Sequence, residues 1–406
     1  MDYLNELAEP ESRRLPEGNW DRAVALPLYG EKEISPLLES LGKAARGSTL
    51  VIAVVNARLT SPDEVHGRNH RLVDSLLANP SGRLDIFVVD RSQEGAFFPE
   101  DQGVGLARKI GCDIALSLWK RGQLRSPMIT TTDGDARVEP EYFEAVDRVD
   151  WRGDWAAGYF DYLHEIEDPE AFPLLLYEIW LRYYVQGLRY ALSPYAFPTV
   201  GSTMAIHLTA YEKARGFPRR NAGEDFYLFN KLAKLGPIAP LRSRVHLRYR
   251  LSQRVPFGTG AGTIKLKRLL QEGRTLSLCP ARVFEYLSYW LRALEGFPVH
   301  RDIDRLRKDI PKEVDHVLTQ MKTWDALGNA ARTRPEDRDC RRSLMEWFDG
   351  FRTLKFIHGL RDRFLPEVPF EAALRNAAFL ERRDTPSQWL NQLRQNDDAV
   401  HFPALN

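Results

Sequence analysis

Short apolar runs at residues 23–28, 50–55, 84–89 and 128–132 punctuate the first third of the chain, each bounded by Gly, Pro, Asn or Asp. Runs of this length, rich in β-branched or aromatic residues, are the pattern of strands buried on both faces. Segments of helical period stand between them: 34–45, with Leu37, Leu38, Leu41 and Ala45 on one side, then 71–77, then 105–119 with Ile110, Ile114 and Leu118. Alternation of strand and helix at this spacing predicts parallel crossover units and a doubly wound α/β sheet. Ligands of such sheets sit beyond the carboxyl ends of the strands. The residues to inspect first are therefore Tyr29 and Glu31, Asn56, Asp90, and Asp133 with Asp135.

The texture changes from residue 155. A strand over 155–162 leads into a long aromatic helix around 173–192; a strand over 199–207, helices around 211–215 and 225–235, and a strand over 238–249 follow. Beyond residue 263 the pattern is almost wholly helical, through 281–294, 303–324, 337–356 and 370–380. The expected organisation is an N-terminal extension over 1–21, a catalytic domain over 22–262 and a helical region over 263–406. Tyr177, Trp180, Tyr183, Tyr184 and Tyr190 could offer a sugar-stacking platform, but their helical spacing reads better as packing.

Composition narrows the function classes. Fifty-seven Lys and Arg against 56 Asp and Glu leave a net charge of +1, so no global field favours nucleic acid. Cys112, Cys279 and Cys340 are far apart with no CxxC pair, which argues against a disulfide framework or a zinc site and fits a reducing, cytoplasmic setting. The N-terminus lacks the apolar core of a signal peptide, and no run approaches the ~18 apolar residues of a membrane span.

Three constellations carry candidate chemistry. Asp133-Gly134-Asp135 places two carboxylates around a small residue just past a buried strand; hard divalent cations such as Mg²⁺ or Mn²⁺ take such oxygen ligands and borrow others from phosphate. The same residues also read as a polar turn capping a helix near Glu139. Asn221-Ala-Gly223-Glu224-Asp225 delivers an acidic pair onto the head of a helix, where an ionised carboxylate can act as general base or simply cap the helix. Arg250 and Arg254, followed by Gly258, Gly260 and Gly262, suit a diphosphate, guanidinium forks matching phosphate oxygens.

The order Leu-Pro27-Leu-Tyr29-Gly-Glu31, Val-Val-Asn56, Gly105-Leu-Ala-Arg108-Lys, Thr-Asp133-Gly-Asp135, Gly201-Ser-Thr-Met and Gly223-Glu-Asp225 resembles bacterial family 2 glycosyltransferases over roughly residues 22–262. The resemblance implies a GT-A fold and transfer of a sugar, of the hexosyltransferase type, from a UDP- or GDP-sugar. It implies Pro27, Tyr29, Glu31 and Asn56 on the nucleoside, and Arg108, Asp133, Gly134, Arg250 and Arg254 on the rest of the donor. Asp135 would bind the metal, and a late histidine, here His246, would complete its site. Asp225 would be the base of an inverting reaction, with Glu224 beside it. The sequence departs from the family's commoner residues at Gly30 and at Asn56, where Asp is usual. A retaining enzyme on the same fold, a sugar-phosphate nucleotidyltransferase and a non-catalytic nucleotide-sugar binder stay open as alternatives. The acceptor and the oligomeric state are not legible.

Overall fold

The computed structural model describes residues 2–78, 83–166, 171–248 and 258–401. By internal packing the chain divides into two compact units, Met1–Leu174 with Thr199–Ile264 and Asp397–Asn406, and Leu175–Pro198 with Lys265–Asn396.

The first unit is built on an eight-stranded sheet: β1 Arg22–Leu28, β2 Thr49–Asn56, β3 Leu84–Arg91, β4 Met128–Thr131, β5 Ala136–Val138, β6 Ala157–His164, β7 Met204–His207 and β8 Ile238–Leu247, in the order β3-β2-β1-β4-β7-β6-β8-β5. The pairs β3–β2, β2–β1 and β1–β4 are parallel, as is β6–β8; β7 and β5 run antiparallel to their neighbours. All eight residues of β2 are buried, because it lies between two other strands and under helices, which is why it reads as one continuous apolar run. Pro27 lies beyond Ala25, the last β1 residue paired to β4, so its missing N–H interrupts no β1–β4 pair.

The described helices in chain order begin with α1 Tyr3–Glu6, α2 Ser35–Ala44, α3 Asp63–Ala78, α4 Val104–Lys120, α5 Tyr142–Asp147, α6 Phe172–Tyr190, α7 Leu208–Lys213, α8 Glu224–Leu232 and α9 Thr259–Gln271. Helix α4 is buried almost all round; a methyl at Gly111 would lie 2.8 Å from Ala25 Cβ, so the helix presses directly on β1. The expected α/β class with a helical C-terminal region is what the chain forms.

The second unit is helical apart from a short antiparallel strand pair at Ser277–Leu278 and Val368–Pro369. Its long helix α10, Arg282–His300, buries Trp290 edge-on to Trp324 and Phe348. Two expected helices are each broken in two. Pro311 separates α11 Ile303–Asp309 from α12 Lys312–Gln320. After α13 Thr323–Thr333, Asp349 ends the run from α14 Asp337–Trp347 by capping α15 Gly350–Arg363 through the Arg352 N–H at 3.0 Å. Then come α16 Phe370–Arg375 and α17 Pro386–His401; the second has no counterpart in the periodicity reading.

The units do not follow the linear division expected from texture. Residues 175–198 fall in the helical unit because the aromatic face of α6 packs there: Tyr183 meets Phe284 and Phe379 at ring separations of 5.5 and 5.8 Å. Residues 1–21 fall in the first unit, with Tyr3 buried. Among the described residues no helix is long and apolar enough to cross a membrane, and the three cysteines are free thiols.

Candidate active site

Parallel pairing of β1 through β4 brings their carboxyl ends to one edge of the sheet, and the sequence places polar residues just past each end. Asn56 closes β2; its side-chain amide donates to Leu28 O at 2.8 Å, which ties it to the end of β1. Gly30 has φ +59°, a left-handed conformation that suits glycine, and its N–H donates to Asn69 Oδ1 at 2.8 Å. Asn69, fully buried on α3, also donates to Asn56 O at 2.8 Å. One side chain therefore fixes both strand-end loops, and the sequence offered no local sign of it. The Tyr29 hydroxyl shares a hydrogen bond with Ser61 Oγ at 3.0 Å.

Past β4, Asp133, Gly134 and Asp135 form a tight turn in which Ala136 N–H donates to Asp133 O at 3.0 Å. Gly134 has no room for a side chain: a methyl would lie 2.9 Å from Glu31 Cγ and 3.0 Å from Leu28 Cδ2. The glycine thus lets the turn nest against buried Glu31, joining the ends of β1 and β4. The turn leads into β5, which pairs with β8, and Asp135 O accepts from Arg248 N–H at 3.3 Å. The carboxylates of Asp133 and Asp135 stay half-exposed.

The Gly223-Glu224-Asp225 segment reaches the same edge. Gly223, at φ +75°, starts α8 in a left-handed conformation, and both acids occupy its first turn. Arg108, on α4, joins the two acidic motifs. Its Nη2 donates to Asp133 Oδ1 at 2.5 Å while Nη1 donates to Glu224 Oε1. Arg108 is 3% exposed and Glu224 2%, whereas the Asp133 side chain keeps 37% exposure. A methyl at Gly201 would collide with the guanidinium, so the Gly-Ser-Thr turn is shaped around Arg108.

Electrostatics follow from that burial. Loss of solvent pushes the Glu224 carboxyl up to about 7; the Arg108 charge opposes the rise and Asp225 adds to it. Asp225 is raised too, by desolvation first, with Arg108 and the Phe226 N–H, 2.7 Å from its Oδ1, acting against it.

His246 lies on β8 opposite Arg137, with its Nε2 3.5 Å from Glu139 Oε1. Burial alone would raise Glu139, but hydrogen bonds from His246 and from Arg244 N–H bring it below its ordinary value. Among the described residues no group of three or more His, Cys, Asp and Glu side chains is assembled around a common metal position. Arg250 and Arg254 lie outside the described residues.

No protein-family model matches the chain and no curated protein matches it. Solved structures align with it at low identity. S. aureus TarS 1–349 in complex with UDP-GlcNAc is 14% identical, with 81% of this chain and 91% of that one covered at a TM-score of 0.39. GalNAc-T7 with UDP, GalNAc and Mn²⁺ is 12% identical, with 66% of this chain and 52% of that one covered at a TM-score of 0.36.

Proposed function

We propose that the chain transfers a sugar from a nucleoside-diphosphate donor to an acceptor hydroxyl, with inversion. The observation that carries this reading is the Arg108 bridge. One buried guanidinium holds Asp133 of the Asp-Gly-Asp turn and Glu224 at the head of α8, so the donor turn and the candidate base share one rigid support.

The donor's nucleoside lies against Pro27, Tyr29, Glu31 and Asn56 at the ends of β1 and β2. Asp133 is engaged by Arg108, and the family resemblance assigns Asp135 to a divalent cation. A half-exposed carboxylate on a tight turn fits Mg²⁺ or Mn²⁺, since Mg²⁺ commonly takes only one or two protein carboxylates and fills its shell with phosphate oxygens and water. The ion, when bound, offsets the charge of the departing diphosphate. His246, turned to Glu139, is left out of that set. Arg250 and Arg254 are assigned to the diphosphate.

Asp225 takes the acceptor's proton as the acceptor oxygen bonds to the anomeric carbon. The bond from that carbon to the diphosphate breaks, and its electron pair leaves with the phosphate. Attack on the face opposite the leaving group inverts the anomeric configuration. Glu224, locked to Arg108, positions the helix head.

Thermal unfolding with a panel of UDP- and GDP-sugars, with and without Mn²⁺, tests the donor site. The matching donor at 100 times its dissociation constant adds about 2.7 kcal/mol. Stabilisation by none of them overturns the reading.

A further inference from the structure

We propose that Arg58 is a positioning residue that ties the donor's nucleoside seat to the loop carrying the base, so that Asp225 is aligned through Arg58. This rests on the functional reading above.

Arg58 follows β2 by two residues, and each part of it holds a different segment. Its backbone N–H donates to Ser61 Oγ at 2.9 Å, and Ser61 Oγ is 3.0 Å from the Tyr29 hydroxyl at the end of β1. Its Nε donates to Gln102 O at 3.1 Å, in the loop that enters α4. Its Nη2 donates to Asn221 Oδ1 at 2.7 Å, across 163 residues of sequence. Asn221 stands four residues before Asp225, and its own amide donates to Glu100 O at 3.3 Å.

The junction is close-packed. A methyl at Gly103 would lie 2.8 Å from Asn221 Oδ1 and 2.9 Å from Arg58 Nη2. Gly105 N–H donates to Arg220 O at 3.0 Å, and a side chain there would collide with Pro218 O. The loop before α8 is thus pinned to the start of α4 on one side and to the β2 loop on the other. Gly223, by contrast, has open space around it and takes its left-handed turn with no neighbour within 4 Å of an added methyl. Where the head of α8 points is therefore set by its anchors, and Arg58 is the anchor that reaches back to the nucleoside end. Only a guanidinium presents Nε and Nη donors in one rigid fork; a lysine makes one of the two contacts.

The test is a double-mutant cycle. Arg58→Ala is assayed for sugar transfer in the wild-type and Asp225→Asn backgrounds, with thermal unfolding alongside. In the wild-type background kcat should fall about 10- to 100-fold, the scale of a small misplacement of a catalytic group, with the donor KM nearly unchanged. In the Asp225→Asn background the further loss should be less than about twofold, because the effect runs through that carboxylate. Arg58→Lys should recover part of the rate. Asn221→Ala, which removes the other end of the same bond, should repeat the pattern if Arg58→Ala proves poorly folded. Equal losses in both backgrounds, or a loss that tracks the fall in Tm, overturn the proposal while leaving the functional reading standing. A wild-type chain that consumes no sugar nucleotide overturns the functional reading, and this proposal with it.

Discussion

Arg108 and Lys109 are neighbours on α4, and each faces a group of carboxylates, yet the two groups are built to opposite ends. Around Lys109, Asp113 is fully buried and accepts from Tyr3 OH at 2.7 Å, Tyr211 OH at 2.8 Å, Glu9 N–H at 2.8 Å and Lys109 Nζ at 2.9 Å. A carboxylate has about four lone-pair directions, and here each has a donor. Burial raises both tyrosines well above their ordinary range, so they remain protonated donors. Arg219 adds a bond to Glu9 Oε1 at 2.7 Å. The result clamps the N-terminal segment onto α4 and leaves no open acceptor direction on Asp113. Around Arg108 the buried partner is Glu224, while the Asp133 side chain keeps solvent access. Charge and burial occur in both places. What separates a site from a clamp is carboxylate surface still open at the strand ends.

The largest effect expected on the Arg108 side is from Asp225→Asn, which keeps the shape and removes the basicity. Transfer should fall about 10²–10⁴-fold, the usual worth of a positioned general base, with Tm and donor binding near wild type. Near-full activity in this variant would erase the distinction just drawn. The counterpart is Asp113→Ala, which leaves a buried ammonium without its partner and should lower stability by about 3–5 kcal/mol, read by denaturant unfolding. If Asp113→Ala instead lost transfer at unchanged stability, the clamp would belong to the site. Asp135→Ala should cancel Mn²⁺-dependent donor stabilisation while the free protein still unfolds in one cooperative transition. An unaltered metal response would remove Asp135 from the cation. The smallest effect is on pH dependence. The base must be deprotonated to act, and Glu224 and Asp225 are both raised. The acid limb of kcat/KM should therefore lie above the ordinary carboxylate range near about 4, with activity rising as pH rises through it. A limb at the ordinary value would show that the active carboxylate is not held in this cluster.

Where the candidate residues stand on the fold was legible because it is local. Strand ends are marked by the residue that stops an apolar run, and Asn56, Asp133 and Asp135 stand within a few residues of buried strands. The acids of α8 were legible as a helix head after a glycine. Arg58 and Asn69 were not, nor was the bond that Asn221 makes, since each acts on a partner 13 to 163 residues away. The N-terminal stretch read as a polar extension because its chemistry is polar; Tyr3 and Glu9 are buried only because Asp113 and Lys109 receive them. Strand β5 escaped notice because three residues after an Asp-Gly-Asp turn show no periodicity, and it exists through its pairing with β8. His246 sits near the end of β8 as expected, but a ring's partner depends on cross-strand geometry, and here that partner is Glu139.

The most direct measurement is release of nucleoside diphosphate from a panel of sugar nucleotides, run with Mn²⁺, with excess chelator, and with the Asp225→Asn variant in place of wild type, while NMR reads the anomeric configuration of the product. The account predicts release from one donor class, its loss in chelator and in the variant, and a product of inverted configuration. Release from no donor, a rate indifferent to Asp225→Asn, or a product that retains the donor's configuration would contradict it.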